Sequence, residues 1–379
     1  MKKVFLKIFA VCVCLCMMIP LFAACGQRSD KFVIGLSGPF SGDAKIYGLA
    51  VKNSAQMAVD EINAAGGLNG VQFELVTYDD VNDSSKIETG FSYLMEQGMQ
   101  VSLGCVTSKP CLEFAGLAAE NDVFFLTPSA TADAVADADV AYQMCFADSN
   151  QGLKAAEYVN SLGLSKIGVF YKSDDPYSKG IFDQFKTKIN ANITIVEKAF
   201  DGDKTDFSGQ IDAFVAAECD FIFMPIYYTP AQAFMTQAKG KIANNATYYG
   251  CDGFDGLVRP EGVTQKIEML THFTSEATTG KAKEFIDNYT AKYGQETLNQ
   301  FGASAYDCVY AIFGAMKAAA DAGQDLSPDM SAAELCAVLQ GQFNGDYKYT
   351  GAVTGVEGAP ISWDSTGYVN KEAFAYEIK

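Results

Sequence analysis

Short apolar or β-branched runs alternate with longer segments of helical period along this chain, and that alternation constrains its fold more than any other feature. Strands are expected at 31–37 (KFVIGLS), 71–78 (VQFELVTY), 99–104, 122–127, 166–171 (KIGVFY), 192–200 and 219–225 (CDFIFMP). Helical segments separate them. In 46–64, Val51, Ala55, Ala58 and Ile62 share one face before an Ala-Ala-Gly-Gly run at 64–67 stops the turn. Strands spaced by helices of this length need crossover connections, which means parallel pairing. The pattern runs to about residue 147 and then starts again. A chain of 379 residues is long for one domain. We therefore expect an α/β protein of two doubly wound parallel-sheet lobes with a cleft between them. Such sheets bind ligands beyond the carboxyl ends of their strands, which puts Gly104, Thr127, Tyr171, Pro225 and Gly250 beside any site.

The first residues carry Lys2, Lys3 and Lys7, then an apolar stretch from Ile8 to Phe22, two alanines and Cys25. A basic start, an apolar run short for a membrane span and a small-residue processing site together predict a signal peptide over 1–24. A cysteine directly after the small residues resembles a bacterial lipobox, with Phe22 where leucine is usual. It implies cleavage before Cys25 and a lipid anchor on its sulfur. An uncleaved membrane anchor is the alternative; either way the rest of the chain lies outside the cytoplasm, at the cell membrane.

Acidic residues outnumber basic ones 46 to 28, a net charge of −18, and loss of 1–24 would remove only lysines. Such a surface repels phosphate backbones, so nucleic acid is not an expected partner. With His272 the only histidine, no His-based triad, HExxH zinc site or His-rich metal cluster can be built. No GxGxxG, GxxxxGK[ST] or GxSxG occurs. We expect no catalytic residues, no metal and no cofactor. Beyond the anchor, seven cysteines remain: Cys105, Cys111, Cys145, Cys219, Cys251, Cys308 and Cys336. An odd number without CxxC reads mostly as small buried hydrophobes, although Cys105 and Cys111 are close enough to bridge. In DGDKTDF (201–207), Asp206 stands where a calcium loop needs glycine and is expected to cap a helix.

The run FLTPSATADA (125–134) ends an apolar strand in Ser, Thr and Pro. This is turn chemistry, or else a turn that presents hydroxyls and N–H groups to a small ligand. FVIGLSGPFSGDAKIYG (33–48) and AVDEINAAGGLNGVQFELVTYDD (58–80) resemble the extracytoplasmic leucine/isoleucine/valine-binding proteins of ABC importers. The similarity continues through TPSATA, DSNQG (148–152), DDPYSKG (174–180), DKTDFSGQI (203–211), IYYTPAQ (226–232) and GCDGFDG (250–256).

The resemblance implies a type I periplasmic-binding-protein fold that closes on its ligand about a three-crossing hinge. Lobe one would be 29–147 with 273–353, and lobe two 148–272 with 354–379. The crossings would lie near Ala147–Asp148, His272–Phe273 and Thr354–Gly355. It implies that Ser108 and the Thr131 amide hold an α-carboxylate. The Ser129 carbonyl, the Thr131 hydroxyl and Asp252 would face the α-ammonium. Tyr177 and Tyr227 would close over the ligand, and Tyr47 would line the side-chain pocket. Asp255, three residues past Asp252, is expected to be a bystander. Enteric members carry a disulfide at the positions of Asn82 and Thr107, which this chain lacks. Lys109 replaces a small residue beside Ser108 and either points to solvent or admits a second acidic group. The implied function is capture of an amino acid, branched-chain or otherwise apolar, by a monomeric lipoprotein that delivers it to the permease subunits. The alternative is a ligand-sensing receptor domain of the same fold for an amino acid or small amide.

Overall fold

The protein is described by a computed structural model covering residues 30–354 and 358–379. In the first lobe, β1 (Phe32–Gly38), α1 (Lys45–Ala64), β2 (Phe73–Asp79), α2 (Ile87–Glu96), β3 (Val101–Ser102), α3 (Ser108–Glu120), β4 (Phe125–Thr127) and β5 (Ala141–Gln143) follow in turn. They build a parallel sheet in the order β2-β1-β3-β4-β5. The face of α1 expected from its period is the buried one: Val51, Ala55, Ala58 and Ile62 are all within the core. Each large apolar side chain so enclosed contributes on the order of 1.5–3 kcal/mol.

The second lobe comprises α4 (Asp148–Ser161), β6 (Lys166–Lys172), α5 (Pro176–Lys188), β7 (Thr194–Phe200), α6 (Ser208–Ala216), β8 (Phe221–Met224), α7 (Tyr228–Ala238), β9 (Thr247–Gly250) and β10 (Lys266–Thr271). Its sheet runs β11-β10-β9-β8-β6-β7, parallel except for the last strand of the chain, β11 (Phe374–Glu377), which pairs antiparallel with β10. Between β10 and β11 come α8 (Gly280–Tyr293), α9 (Gln300–Asp321) and α10 (Ala332–Phe343). These helices return to the first lobe, where Phe343 stacks among Phe124, Tyr142 and Trp363. Asp206 accepts from the Ser208 N–H at 2.9 Å, but Phe207 and not Asp206 occupies the cap position, so Asp206 stands two residues ahead of the first residue of α6 rather than capping it. The seven cysteines are buried free thiols.

One boundary differs from expectation. The segment 361–369, expected with the second lobe, lies on the first. The Trp363 indole N–H donates to the Gln143 carbonyl at 2.8 Å, and Gln143 N donates to the Gly367 carbonyl at 2.9 Å. Only β11 joins the second sheet. Gly355, named for the third crossing, lies outside the described residues, as do the signal peptide and Cys25. The reason is local: Trp363 needs both an apolar seat and a partner for its N–H, and β5 supplies them.

Beside Lys371 lies a buried polar cluster. His272 Nε2 shares a hydrogen bond with Ser304 Oγ at 2.7 Å. Asp307 accepts from Val353 N at 2.8 Å, Thr354 N at 2.9 Å and Thr354 Oγ1 at 2.6 Å. Lys371 is buried nearby, and burial pulls its ammonium down to about 8 against the opposing pull of Asp307.

Candidate functional site

The loops that leave the carboxyl ends of the strands converge between the lobes. Tyr47, Val106, Thr107, Ser129, Thr131, Tyr177, Tyr227, Asp252 and Phe301 enclose a cavity of about 200 Å³, counting its opening to solvent. In this closed form the room left inside is only about 10 Å³, enough for about one water, so a ligand enters only when the lobes part. Six of the seven expected ligand residues line it: Tyr47, Ser129, Thr131, Tyr177, Tyr227 and Asp252.

Ser108 does not line the cavity. As the first residue of α3 it turns its hydroxyl to the Ala132 N–H at 3.2 Å and so ties the helix to the 129–132 turn. Its neighbours Val106 and Thr107 line the cavity instead. The Thr107 hydroxyl donates to Asn82 Oδ1 at 2.7 Å, so a hydrogen bond joins the two positions that carry a disulfide in the enteric proteins. Lys109 is exposed and stands outside the cavity lining.

The Ser/Thr cluster after β4 divides its work. The Thr127 hydroxyl donates to the Cys105 carbonyl at 3.1 Å and accepts from Ala130 N at 3.0 Å, holding the turn. Ser129 and Thr131, two and four residues on, face inward to the cavity.

Opposite them, Asp175 and Pro176 start α5 with a side-chain cap and a proline at the first position, which places Tyr177 in the first turn. The Tyr177 hydroxyl donates to Asp252 Oδ1 at 2.8 Å and accepts from Gly253 N at 2.8 Å. Asp252 N donates to Gln151 Oε1 at 3.1 Å, while Asp252 Oδ2 has no partner among the described residues. Burial pushes the Asp252 carboxyl up to about 7, against the hydrogen bonds from Tyr177, Gln151 and Gly253. The Tyr177 and Tyr227 rings stack at 4.7 Å, and Tyr47 meets Tyr227 and Phe301 edge-on at 5.7 and 4.9 Å. The site is thus an aromatic box with hydroxyls on one wall and one under-satisfied carboxylate on the other.

The lobes are closed over it. The Tyr47 hydroxyl donates to the Gly253 carbonyl at 2.5 Å and accepts from Tyr228 N at 3.3 Å. The Tyr228 hydroxyl donates to the Asp43 carbonyl at 2.5 Å. Asp255 takes part as well, against expectation: its Oδ2 accepts from Gln300 N at 2.8 Å, at the start of α9. Phe301, also contributed by α9, was not foreseen, because nothing in the sequence says that a helix so far along the chain returns to this cleft. Tyr47→Phe should weaken ligand binding about tenfold, since the closed form loses two interlobe hydrogen bonds, each contributing about 0.5–1.5 kcal/mol. Titration calorimetry of the variant checks this.

Residues 31–355 match the family described as Periplasmic binding protein. The chain belongs to that family. Among relatives of this periplasmic binding protein, the Leu/Ile/Val-binding protein BraC3 of Rhizobium johnstonii is 32% identical over 224 residues, 58% of this chain and 61% of that one. The leucine-, isoleucine-, valine-, threonine- and alanine-binding protein of Pseudomonas aeruginosa is 26% identical over 321 residues, 79% of this chain and 82% of that one. In structure, the branched-chain amino acid transporter substrate-binding protein LivJ of Streptococcus pneumoniae, solved with isoleucine, superposes with a TM-score of 0.79 at 27% identity, covering 91% of this chain and 95% of that one. The fold is therefore type I, two α/β lobes on either side of the ligand cleft.

Proposed function

We propose that this protein is an extracytoplasmic receptor that captures a free apolar α-amino acid between its lobes and delivers it to the permease of an ABC importer. One observation carries the reading: a closed cleft between the lobes holds an unpartnered Asp252 oxygen on one wall and the hydroxyls of Ser129 and Thr131 on the other. A zwitterion taken out of water needs fixed partners at both charged ends, because an unpaired one costs several kcal/mol, roughly. Asp252 suits the ammonium, as do the Ser129 carbonyl and the Thr131 hydroxyl. The carboxylate suits the Thr131 amide and the backbone N–H groups at the N-terminus of α3, with Ser108 supporting them from behind. The rings of Tyr47, Tyr177, Tyr227 and Phe301 would surround the side chain once the lobes part to admit it. The family consists of binding components, and this chain is read as one that binds without turnover, as a monomer.

On this reading Cys25 carries the lipid anchor that keeps the protein at the outer face of the membrane. The chain passes between lobes near Ala147–Asp148 and His272–Phe273. We place the third passage between Val369 and Phe374, after the segment seated on β5.

Thermal unfolding with each amino acid in turn tests the function. A ligand at about 100 times its dissociation constant adds roughly 2.7 kcal/mol, so leucine, isoleucine or valine should raise Tm by about 5 °C or more. No shift with any amino acid, alongside a shift with a carboxylic acid lacking an amine, would overturn it.

A further inference from the structure

Asp148, the first residue of α4, is 1% exposed, and neither of its carboxyl oxygens completes a hydrogen bond of normal geometry among the described residues. A buried carboxyl left in that condition is costly, and native proteins rarely keep one without a use. It is also tightly held. Asp148 N donates to the Thr131 carbonyl at 2.8 Å. On its far side α5 packs so close that a Cβ on Gly180 would come within 3.3 Å of Asp148 Oδ2. One turn along α4, Gln151 holds the backbone of Asp252. Thr131, whose carbonyl receives Asp148 N, has its side chain beside the carboxyl without completing a hydrogen bond to it, and it lines the ligand cavity.

We propose that Asp148 is a positioning residue of the ligand site: with a ligand bound it accepts the hydrogen bond of the Thr131 hydroxyl, so that the Thr131 oxygen is presented as an acceptor to a ligand ammonium. This rests on the reading of the cavity as an amino-acid site. A hydroxyl has one proton to give and two lone pairs to offer. An ionised carboxylate can only accept, so beside it Thr131 must spend its proton on Asp148 and leave a lone pair for the cavity. A protonated carboxyl donates instead, and the Thr131 proton then turns toward the ligand, where an ammonium cannot use it.

The surroundings set the balance between these states. Burial pushes the Asp148 carboxyl well above the usual carboxylate range, Asp252, Asp133 and Asp175 push the same way, and Thr131 opposes them. The other titratable groups around it, Tyr177, Tyr227, Cys145 and Cys251, are held neutral by burial. Lys371 acts on Cys145, and Lys172 and Lys109 act on Asp175. A ligand ammonium brought up to Asp252 and Thr131 offsets the repulsion and favours ionised Asp148. Binding should then expel a proton from Asp148, and affinity should rise with pH.

The test is calorimetry with L-leucine and L-isoleucine between pH 5.5 and 8 on wild type, Asp148→Asn, Thr131→Val, Thr131→Ser and the double variant Asp148→Asn/Thr131→Val. Asp148→Asn should lower affinity about tenfold, the loss expected of one charge-assisted hydrogen bond, and reduce the pH slope to the part that Asp252 contributes. Thr131→Val should do the same, and the double variant should be no worse than the weaker single. Thr131→Ser should keep the slope, and that comparison with Thr131→Val carries the test should Asp148→Asn fail to fold. Multiplying losses in the double variant, or Asp148→Asn within twofold of wild type at every pH, would overturn the proposal. If that happens while Asp252→Asn still abolishes binding, the amino-acid reading stands and only the role of Asp148 falls. If wild type binds no amino acid, both fall.

Discussion

Asp252→Asn should weaken amino-acid binding by roughly 100-fold to 1,000-fold and, in the same protein without ligand, raise the melting temperature. The affinity loss follows from geometry. The one carboxylate oxygen in the cavity without a partner is Asp252 Oδ2, and stranding a ligand ammonium opposite a neutral amide costs on the order of 3–5 kcal/mol. The stability gain follows from burial. Enclosure raises the Asp252 carboxyl from 3.8 to about 7. A raised carboxyl contributes stability that is full below its unfolded value and is lost as pH rises through its folded value. Unliganded wild type should therefore lose stability between about pH 4 and pH 7 on account of this group, by at most on the order of 4 kcal/mol. The asparagine variant, nearly isosteric and uncharged, should not. Thermal unfolding at pH 4.5 and 7.5, paired with calorimetry at pH 7.5, reads both halves. An affinity within threefold of wild type would remove the ammonium role. Asp255 cannot serve as the neutral control that its place in a glycine-rich turn suggests, because it holds the start of α9 from across the cleft. The exposed Glu261 suits that purpose, as Glu261→Gln.

The two effects have opposite signs because function and folding ask different things of one carboxylate. Binding needs an unpaired anion in a dry place, and folding is weakened by having one there. Asp148 and Asp252 both bear this mark, Asp252 in the cavity wall and Asp148 behind Thr131.

How far this was legible from the chain depended on whether a local pattern or a distant contact fixed the residue. The strands β1, β2, β6, β7 and β8 fell within two residues of expectation, because buried parallel strands are written as apolar runs bounded by turn residues. The face of α1 was readable from its period. β5 and β10 were not singled out: β5 is three residues long, and β10 carries Lys266 and Glu268 in an otherwise apolar stretch. Resemblance placed Tyr47, Ser129, Thr131, Tyr177, Tyr227 and Asp252 about one cavity, but spacing alone could not decide which residue at the start of α3 faces inward. The structure puts Thr107 there and gives Ser108 to the neighbouring turn. Phe301 and the seat of Trp363 on β5 depend on where the chain returns after more than a hundred residues, which no local signal encodes.

Gly253→Ala should cut affinity about 10-fold to 100-fold, although its side chain adds a single methyl and touches no ligand. The glycine is not required by its backbone angles; it is required by its neighbours. A Cβ there would lie 2.5 Å from the Tyr177 hydroxyl, 3.0 Å from its ring carbon and 2.8 Å from the Ile226 carbonyl. Tyr177 cannot swing aside, since it is 2% exposed and stacked on Tyr227. The turn at 252–254 must move instead. That turn carries both the Asp252 carboxylate and the carbonyl that receives the Tyr47 hydroxyl from the opposite lobe. Overpacking of this kind costs about 1–3 kcal/mol. All three atoms belong to the second lobe, so the clash is present open and shut; it lowers affinity because the turn it displaces carries Asp252 and the acceptor of Tyr47. The mechanism predicts its own rescue. In the double variant Gly253→Ala/Tyr177→Phe the 2.5 Å clash is gone, so the melting temperature should recover toward wild type. Affinity should not recover, because Asp252 has then lost its tyrosine donor. Calorimetry and thermal unfolding on the three variants separate the two effects. A Gly253→Ala protein that binds leucine as wild type does would mean that the turn does not meet Tyr177 in the bound state, and the closed packing of the site would have to be redrawn.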